Sequence, residues 1–277
     1  MIQTVKKMYL SFASILQNER WNREVLRIRK EISPAPLASL PAGKKIILIP
    51  HPDDEWVGCS QVVENAADDV LLCYMNMHGG DDVATHDKRI QELQRLADSN
   101  QRMLVIAEGD KSVFLKELIC QTKPQMLFIP FFMDWHIEHV QVMLFLCTAI
   151  NMLLEDEQPL NLDVAMYQVS VPIPENYITH AVPLSRKEWM QKWQLFEKVY
   201  RTQLGIPYKR FACCERINGK LCNSYAAESY VVQSCKQWAD NLDSMLLDAQ
   251  QRDTVNRNLS SIICTRSLLR DYQRKEK

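Results

Sequence analysis

Apolar and polar positions along the chain fall into two alternating kinds of segment. Short unbroken apolar runs recur at Lys45 to Pro50, Leu71 to Met77, Met103 to Ala107, Gln125 to Pro130 and Val164 to Val169. Runs of this kind, without every-second-residue polarity, are expected of strands buried on both faces. Between them, apolar residues return at helical intervals near Ser60 to Asn65, and over Ala84 to Ser99, Lys111 to Gln121 and Glu138 to Leu154. The β-α-β-α alternation predicts an α/β fold, with a mostly parallel sheet covered by helices.

Both ends depart from this alternation. Leu16, Trp21, Val25, Ile28 and Ile32 are spaced as one face of a helix, and three prolines follow between Ser33 and Gly43. Residues 1–43 therefore read as a helical arm and an extended linker. Past the proline-bounded VPIPENY loop, Ser185 to Gln203 reads as a helix opened by a capping box of Ser185 and Glu188. Residues 222–232 end in a strand-like run, and the tail from Gln251 is basic and helical. The expected organisation is one domain over 44–232, the arm before it, and a C-terminal helical extension or subdomain over 233–277. The basic end, Arg266 to Lys277, reads as a solvated helix end.

Composition narrows the class. Lys and Arg number 33 against 34 Asp and Glu, a net charge of −1. That excludes a strongly basic nucleic-acid binder. The 7 glycines and 12 prolines are too few for a collagen-like or low-complexity chain. The 9 cysteines are odd in number and scattered, which points to reduced thiols and a cytoplasmic protein. No apolar run reaches the roughly 20 residues of a membrane span, so no integral membrane segment is expected. Oligomeric state is open.

Chemistry concentrates at two strand ends. The first strand runs into His51-Pro52-Asp53-Asp54-Glu55, and the fourth into PFFMDWHIEH, with His136, Glu138 and His139. In parallel sheets, ligands sit at the carboxyl ends of strands. Three consecutive acids are poor core filler, because a buried unpaired carboxylate is costly. His51 and Asp54 are three apart across a proline turn. His136 and His139 are three apart at a helix start, on one face. Two imidazoles and one carboxylate make a common catalytic zinc set, and a neighbouring carboxylate outside that set can take a proton from water.

HPDDE directly after a buried strand, followed about 80 residues later by H-x-[DE]-H, resembles the LmbE-like (PIG-L-like) family of zinc-dependent N-acetylglucosaminyl deacetylases. The resemblance spans roughly Lys44 to Tyr230. It implies a Rossmann-like three-layer α/β/α sandwich and a zinc ion, or another divalent metal, held by His51, Asp54 and His139. It implies Asp53 as general base, His136 as oxyanion stabiliser or proton donor, and Glu138 as the residue that orients His136. Arg89 and Glu92, in KRIQE, resemble the family's R-x-x-E pair and are the implied substrate-binding residues. The loop His78 to Asp82 stands where the family has Thr and Gly, and bears on substrate selection. The implied reaction is deacetylation of an N-acetylated amino sugar or glycoconjugate, a small-molecule substrate. Glu55 reads as a supporting residue, and Trp135 as either a stacking platform for a sugar or packing. Two other readings compete: a catalytically silent sugar- or nucleotide-binding relative, and a metal-assisted phosphoesterase. The first has no use for Asp53; the second usually needs two metals and more carboxylates.

Overall fold

The computed structural model describes residues 2–77, 80, 82–157 and 160–274, with side chains from Ser14 to Tyr272. The five apolar runs form β1 (Lys44–Ile49), β2 (Asp69–Tyr74), β3 (Met103–Ile106), β4 (Met126–Pro130) and β5 (Asp163–Tyr167). All five are parallel, as expected. Two further strands, β6 (His180–Leu184) and β7 (Ala226–Ser234), extend the sheet antiparallel, giving the order β3-β2-β1-β4-β5-β7-β6. The order reverses between β1 and β4, so a crevice opens at their carboxyl ends.

The continuous apolar runs are explained by burial on both faces. Ile46 and Leu48 of β1 join the apolar cluster on one side of the sheet, and Ile47 and Ile49 that on the other. Helices α2 (Asp54–Glu64), α3 (Val83–Ser99) and α6 (Arg186–Val199) contribute to the second cluster; α4 (Lys111–Thr122), α5 (Ile137–Glu155) and α8 (Cys235–Met245) to the first. Helix α7 (Tyr208–Asn218) divides its buried residues between the two. Helix α5 is long and apolar enough to cross a bilayer by length and composition, against the sequence expectation of no such run. In this fold Val142, Met143, Leu146 and Ile150 bury its apolar face in the first cluster.

Two boundaries differ from expectation. Helix α2 begins at Asp54, well before Ser60, so its first turn carries the acidic residues themselves. The helix expected to reach Gln203 stops at Val199, and a single 3-10 turn covers Arg201–Gln203. The capping box of Ser185 and Glu188 is present.

The terminal segments pack on the domain. Trp21, Val25, Ile28 and Ile32 of α1 (Ile2–Glu31) are buried, whereas Leu16 is 53% exposed. Glu24 accepts from Ser261 Oγ at 2.8 Å and Ile262 N at 2.7 Å, capping α10 (Ile262–Arg274). The basic tail is not merely solvated: Arg266 is buried and donates to Glu175 at 2.5 Å, and Arg270 pairs with the same carboxylate.

A buried polar network ties α2 to α6, α7 and β7. Lys192 Nζ donates to Val57 O at 2.8 Å, to Glu228 Oε1 at 2.6 Å and to Glu215 Oε1. Glu228 also accepts from Ser60 Oγ at 2.6 Å and Gln61 N at 3.1 Å, and Glu215 from Trp193 Nε1 at 2.8 Å. Every proton of the ammonium is used, which makes burying the charge tolerable. Gly58 completes the seat of α2, because a Cβ there would stand 2.3 Å from the Tyr167 ring.

Replacing Lys192 by Met leaves two carboxylates buried without their cation. It is expected to cost about 3–5 kcal/mol in denaturant titration; a loss below about 1 kcal/mol would refute the network's role. Glu215 gives a pH signature. Burial pushes its carboxyl up to about 7, with Lys192 opposing and Glu228 adding to the shift. The folded chain therefore holds that proton more tightly than the unfolded chain. The associated stability is full below about pH 4.5 and is lost as pH rises through about 7. Glu215→Gln should flatten that decline, and an unchanged stability-pH profile would contradict it.

Candidate active site

The turn after β1 is built to aim carboxylates. Asp53 occupies the N-cap of α2, where an aspartate usually bonds the helix N–H groups, yet its side chain makes no such bond. Its backbone lies at φ 143°, a region that favours glycine. Glu55 maintains this turn: its Oε2 accepts from Asp53 N at 3.1 Å, and its Oε1 from Tyr200 OH. Burial pushes Glu55 up to about 7, against the hydrogen bond from Tyr200. The supporting role expected of Glu55 is thus visible as contacts.

The turns after β1 and β4 converge. His51 Nδ1 lies 3.2 Å from His139 Nε2, and each lies 3.4 Å from Asp54 Oδ2. Donors around a tetrahedral ion with bonds of about 2.0–2.1 Å are about 3.3 Å apart. The outward nitrogens are already engaged. His51 Nε2 donates to Glu138 Oε2 at 2.5 Å, and His139 Nδ1 donates to Asp134 Oδ2 at 2.8 Å. With its outer N–H on a carboxylate, each ring in its neutral form would turn the lone pair of its inner nitrogen toward the shared centre, the arrangement of metal-binding histidines. The residues present fit a divalent cation.

His136 borders the same centre. One ligand atom from each of His51, His136 and His139 lies within 4.8 Å of the others, so these three histidines could also hold a metal ion. The His136 ring centroid is 4.6 Å from that of His51 and 5.0 Å from that of His139. Burial, then His139 and His51, lowers its pKa to about 4, and its buried Nδ1 has no hydrogen-bond partner among the described residues.

The remaining charges follow from the same packing. Burial opposes ionisation of Asp54, but His139 and His51 outweigh it and hold the carboxyl far below the usual range. Asp53 goes the other way: burial, Asp54 and Glu55 push it well up, with Arg89 and His139 opposing. Two adjacent aspartates thus differ in proton affinity because Asp54 is hydrogen-bonded to both imidazoles, whereas Asp53 lies beside two other acids.

The cavity over this centre is about 460 Å³ and is lined by His51, Asp53, Asp54, Arg89, His136 and His139, with Trp135 on its wall. Two expected site residues make contacts that the sequence did not indicate. Glu138, expected to orient His136, contacts the His51 ring, which the α5 start brings within reach. Glu92 was expected beside Arg89 on substrate. It is buried, and its carboxylate accepts from Thr202 N at 3.1 Å and from Thr202 Oγ1, holding the 3-10 turn. Residues 78, 79 and 81 of the loop expected to bear on substrate selection lie outside the described residues.

Asp134 was missed by the sequence reading. It is 1% exposed and accepts from His139 Nδ1, from His136 N at 2.9 Å and from Ser170 Oγ at 2.5 Å. A lone acid inside the otherwise apolar stretch PFFMDW was the available signal.

No family model and no curated protein matches this chain. Solved structures match by fold. The conserved protein TT1542 from Thermus thermophilus gives a TM-score of 0.55 at 17% identity, covering 68% of this chain and 93% of that one. N,N'-diacetylchitobiose deacetylase from Pyrococcus horikoshii gives 0.56 at 15% identity, covering 70% and 85%. A deacetylase of the teicoplanin biosynthesis pathway gives 0.50 at 15% identity, covering 69% and 98%. By fold, the chain is similar to these two deacetylases and to TT1542.

Proposed function

We propose that this protein is a metal-dependent amide hydrolase that removes the acetyl group from an N-acetylated amino sugar or its conjugate. One observation carries the reading: His51 Nδ1, Asp54 Oδ2 and His139 Nε2 form a triangle with sides of 3.2–3.4 Å, with Asp53 in the same cavity. A divalent cation held by these three residues, zinc by the donor set, would supply Lewis acidity toward the amide carbonyl and toward water.

The chain's own residues supply the proton chemistry. The Asp53 carboxylate makes no helix cap, sits in the cavity and has a raised proton affinity, so it serves as the base that takes a proton from water. His136 is neutral at ordinary pH and offers a ring N–H to the developing oxyanion or the departing amine. Arg89, the basic neighbour of Asp53 in the lining, is suited to hydroxyls of the substrate. Glu138 and Asp134 orient the two histidine ligands. The nine free thiols support a reducing, cytoplasmic setting.

The direct test is acetate release from N-acetylglucosamine and its conjugates with added zinc. Release that chelation abolishes is expected; phosphate release from phosphosugars without acetate would favour the phosphoesterase reading instead. Asp53→Asn should retain metal and lose about 100-fold or more in kcat, and turnover at the parental rate would remove Asp53 as base. His139→Ala should lose the metal by elemental analysis. Asp134→Asn should weaken metal binding by about 10-fold or more in calorimetry; unaltered affinity would show that the Asp134 contact does not orient the ligand.

A further inference from the structure

The direction of the Asp53 side chain depends on one peptide unit. The Pro52–Asp53 peptide sets φ at Asp53, and that φ, 143°, is one that an L-residue rarely adopts. Such a backbone persists only where the surroundings over-determine it. Here both polar atoms of the peptide are held. Asp53 N donates to Glu55 Oε2 at 3.1 Å, and Gln203 Nε2 donates to Pro52 O at 3.4 Å. Glu55 is itself held by Tyr200, whose hydroxyl donates to Oε1. Turning the peptide over, the motion that would relax φ, breaks both contacts at once.

Both restraints come from one short segment. Tyr200 precedes the 3-10 turn Arg201–Gln203 and Gln203 closes it, with Gln203 N donating to Tyr200 O at 3.1 Å. Thr202, between them, is fastened to α3 by Glu92, which accepts from its N at 3.1 Å and from its hydroxyl. Tyr200, Gln203, Glu55 and Glu92 are all buried. The His139 side of the site is steadied separately. There Arg210 Nη1 donates to Leu259 O at 2.7 Å, in the turn after α9 (Ala249–Asn258), and Nη2 donates to Ser170 O at 2.5 Å.

We propose that Tyr200 and Gln203 are positioning residues for Asp53. From the 3-10 turn, with Glu92 behind it, they fix the Pro52–Asp53 peptide and so aim the carboxylate into the cavity. This rests on the hydrolase reading above, with Asp53 as base. Tyr200 is fully buried behind the cavity lining, so its effect on turnover passes through Glu55 and Asp53.

Tyr200→Phe keeps the ring and removes only the donor to Glu55. On N-acetylglucosamine with added zinc it should lower kcat about 10-fold or more, while KM and zinc content by elemental analysis stay at the parental values. In an Asp53→Asn background the same change should cause no further loss, because its effect passes through the Asp53 carboxylate. Gln203→Leu should lower kcat in the same way. A merely structural contribution would lower both backgrounds by the same factor. Unchanged kcat for Tyr200→Phe or Gln203→Leu, an equal loss in the Asp53→Asn background, or loss of zinc overturns the proposal and leaves the deacetylase reading standing. If the parental chain releases no acetate, the hydrolase reading fails, and thermal denaturation decides the peptide restraint separately. Asp53→Gly adopts φ 143° freely. It should raise Tm in the parental chain and raise it less once Tyr200→Phe and Gln203→Leu are both present; equal rises overturn the restraint.

Discussion

Two carboxylate–imidazole contacts are the constraint on which the site depends. Glu138 engages the outer nitrogen of His51, and Asp134 that of His139. Each contact determines which ring nitrogen carries the proton and therefore which lone pair faces Asp54. The parallel sheet supplies the placement, because reversal of strand order between β1 and β4 puts two loops from distant parts of the chain over one crevice.

That geometry is held from behind. The first turn of α2 carries both aspartates, and its seat combines a glycine against the Tyr167 ring with the Lys192 network. Glu55 and Tyr200 maintain the unfavourable backbone at Asp53, so that residue neither caps the helix nor joins the triangle. The different surroundings of Asp53 and Asp54 are thus written in backbone conformation and not in residue type. On the opposite side, Arg210, Ser170 and Asp134 form a continuous path from the C-terminal turn to His139. The tail and the arm are structural parts of the domain's rim.

Much of this was legible in the sequence. The five parallel strands announce themselves because burial on both faces demands uninterrupted apolar runs, and His51, Asp54 and His139 stand where those runs stop. Strand β6 was not legible: it is an edge strand containing Pro183, and edge strands need little hydrophobic pattern. Asp134 lies five residues from its partner His139, outside any short motif. Glu138 and Glu92 have the residue types expected of a site, but tertiary packing alone decides what their carboxylates reach. Leu16 continues the helical spacing of α1 but extends beyond the surface that buries Trp21 and Val25.

The most direct measurement is the position of a bound metal. Crystals loaded with zinc and measured at its absorption edge should show one anomalous peak about 2 Å from His51 Nδ1, His139 Nε2 and Asp54 Oδ2, with the Asp53 carboxylate outside the coordination shell. A peak coordinated by His136 in place of Asp54, or by Asp53, or no peak between the two turns, would contradict the account.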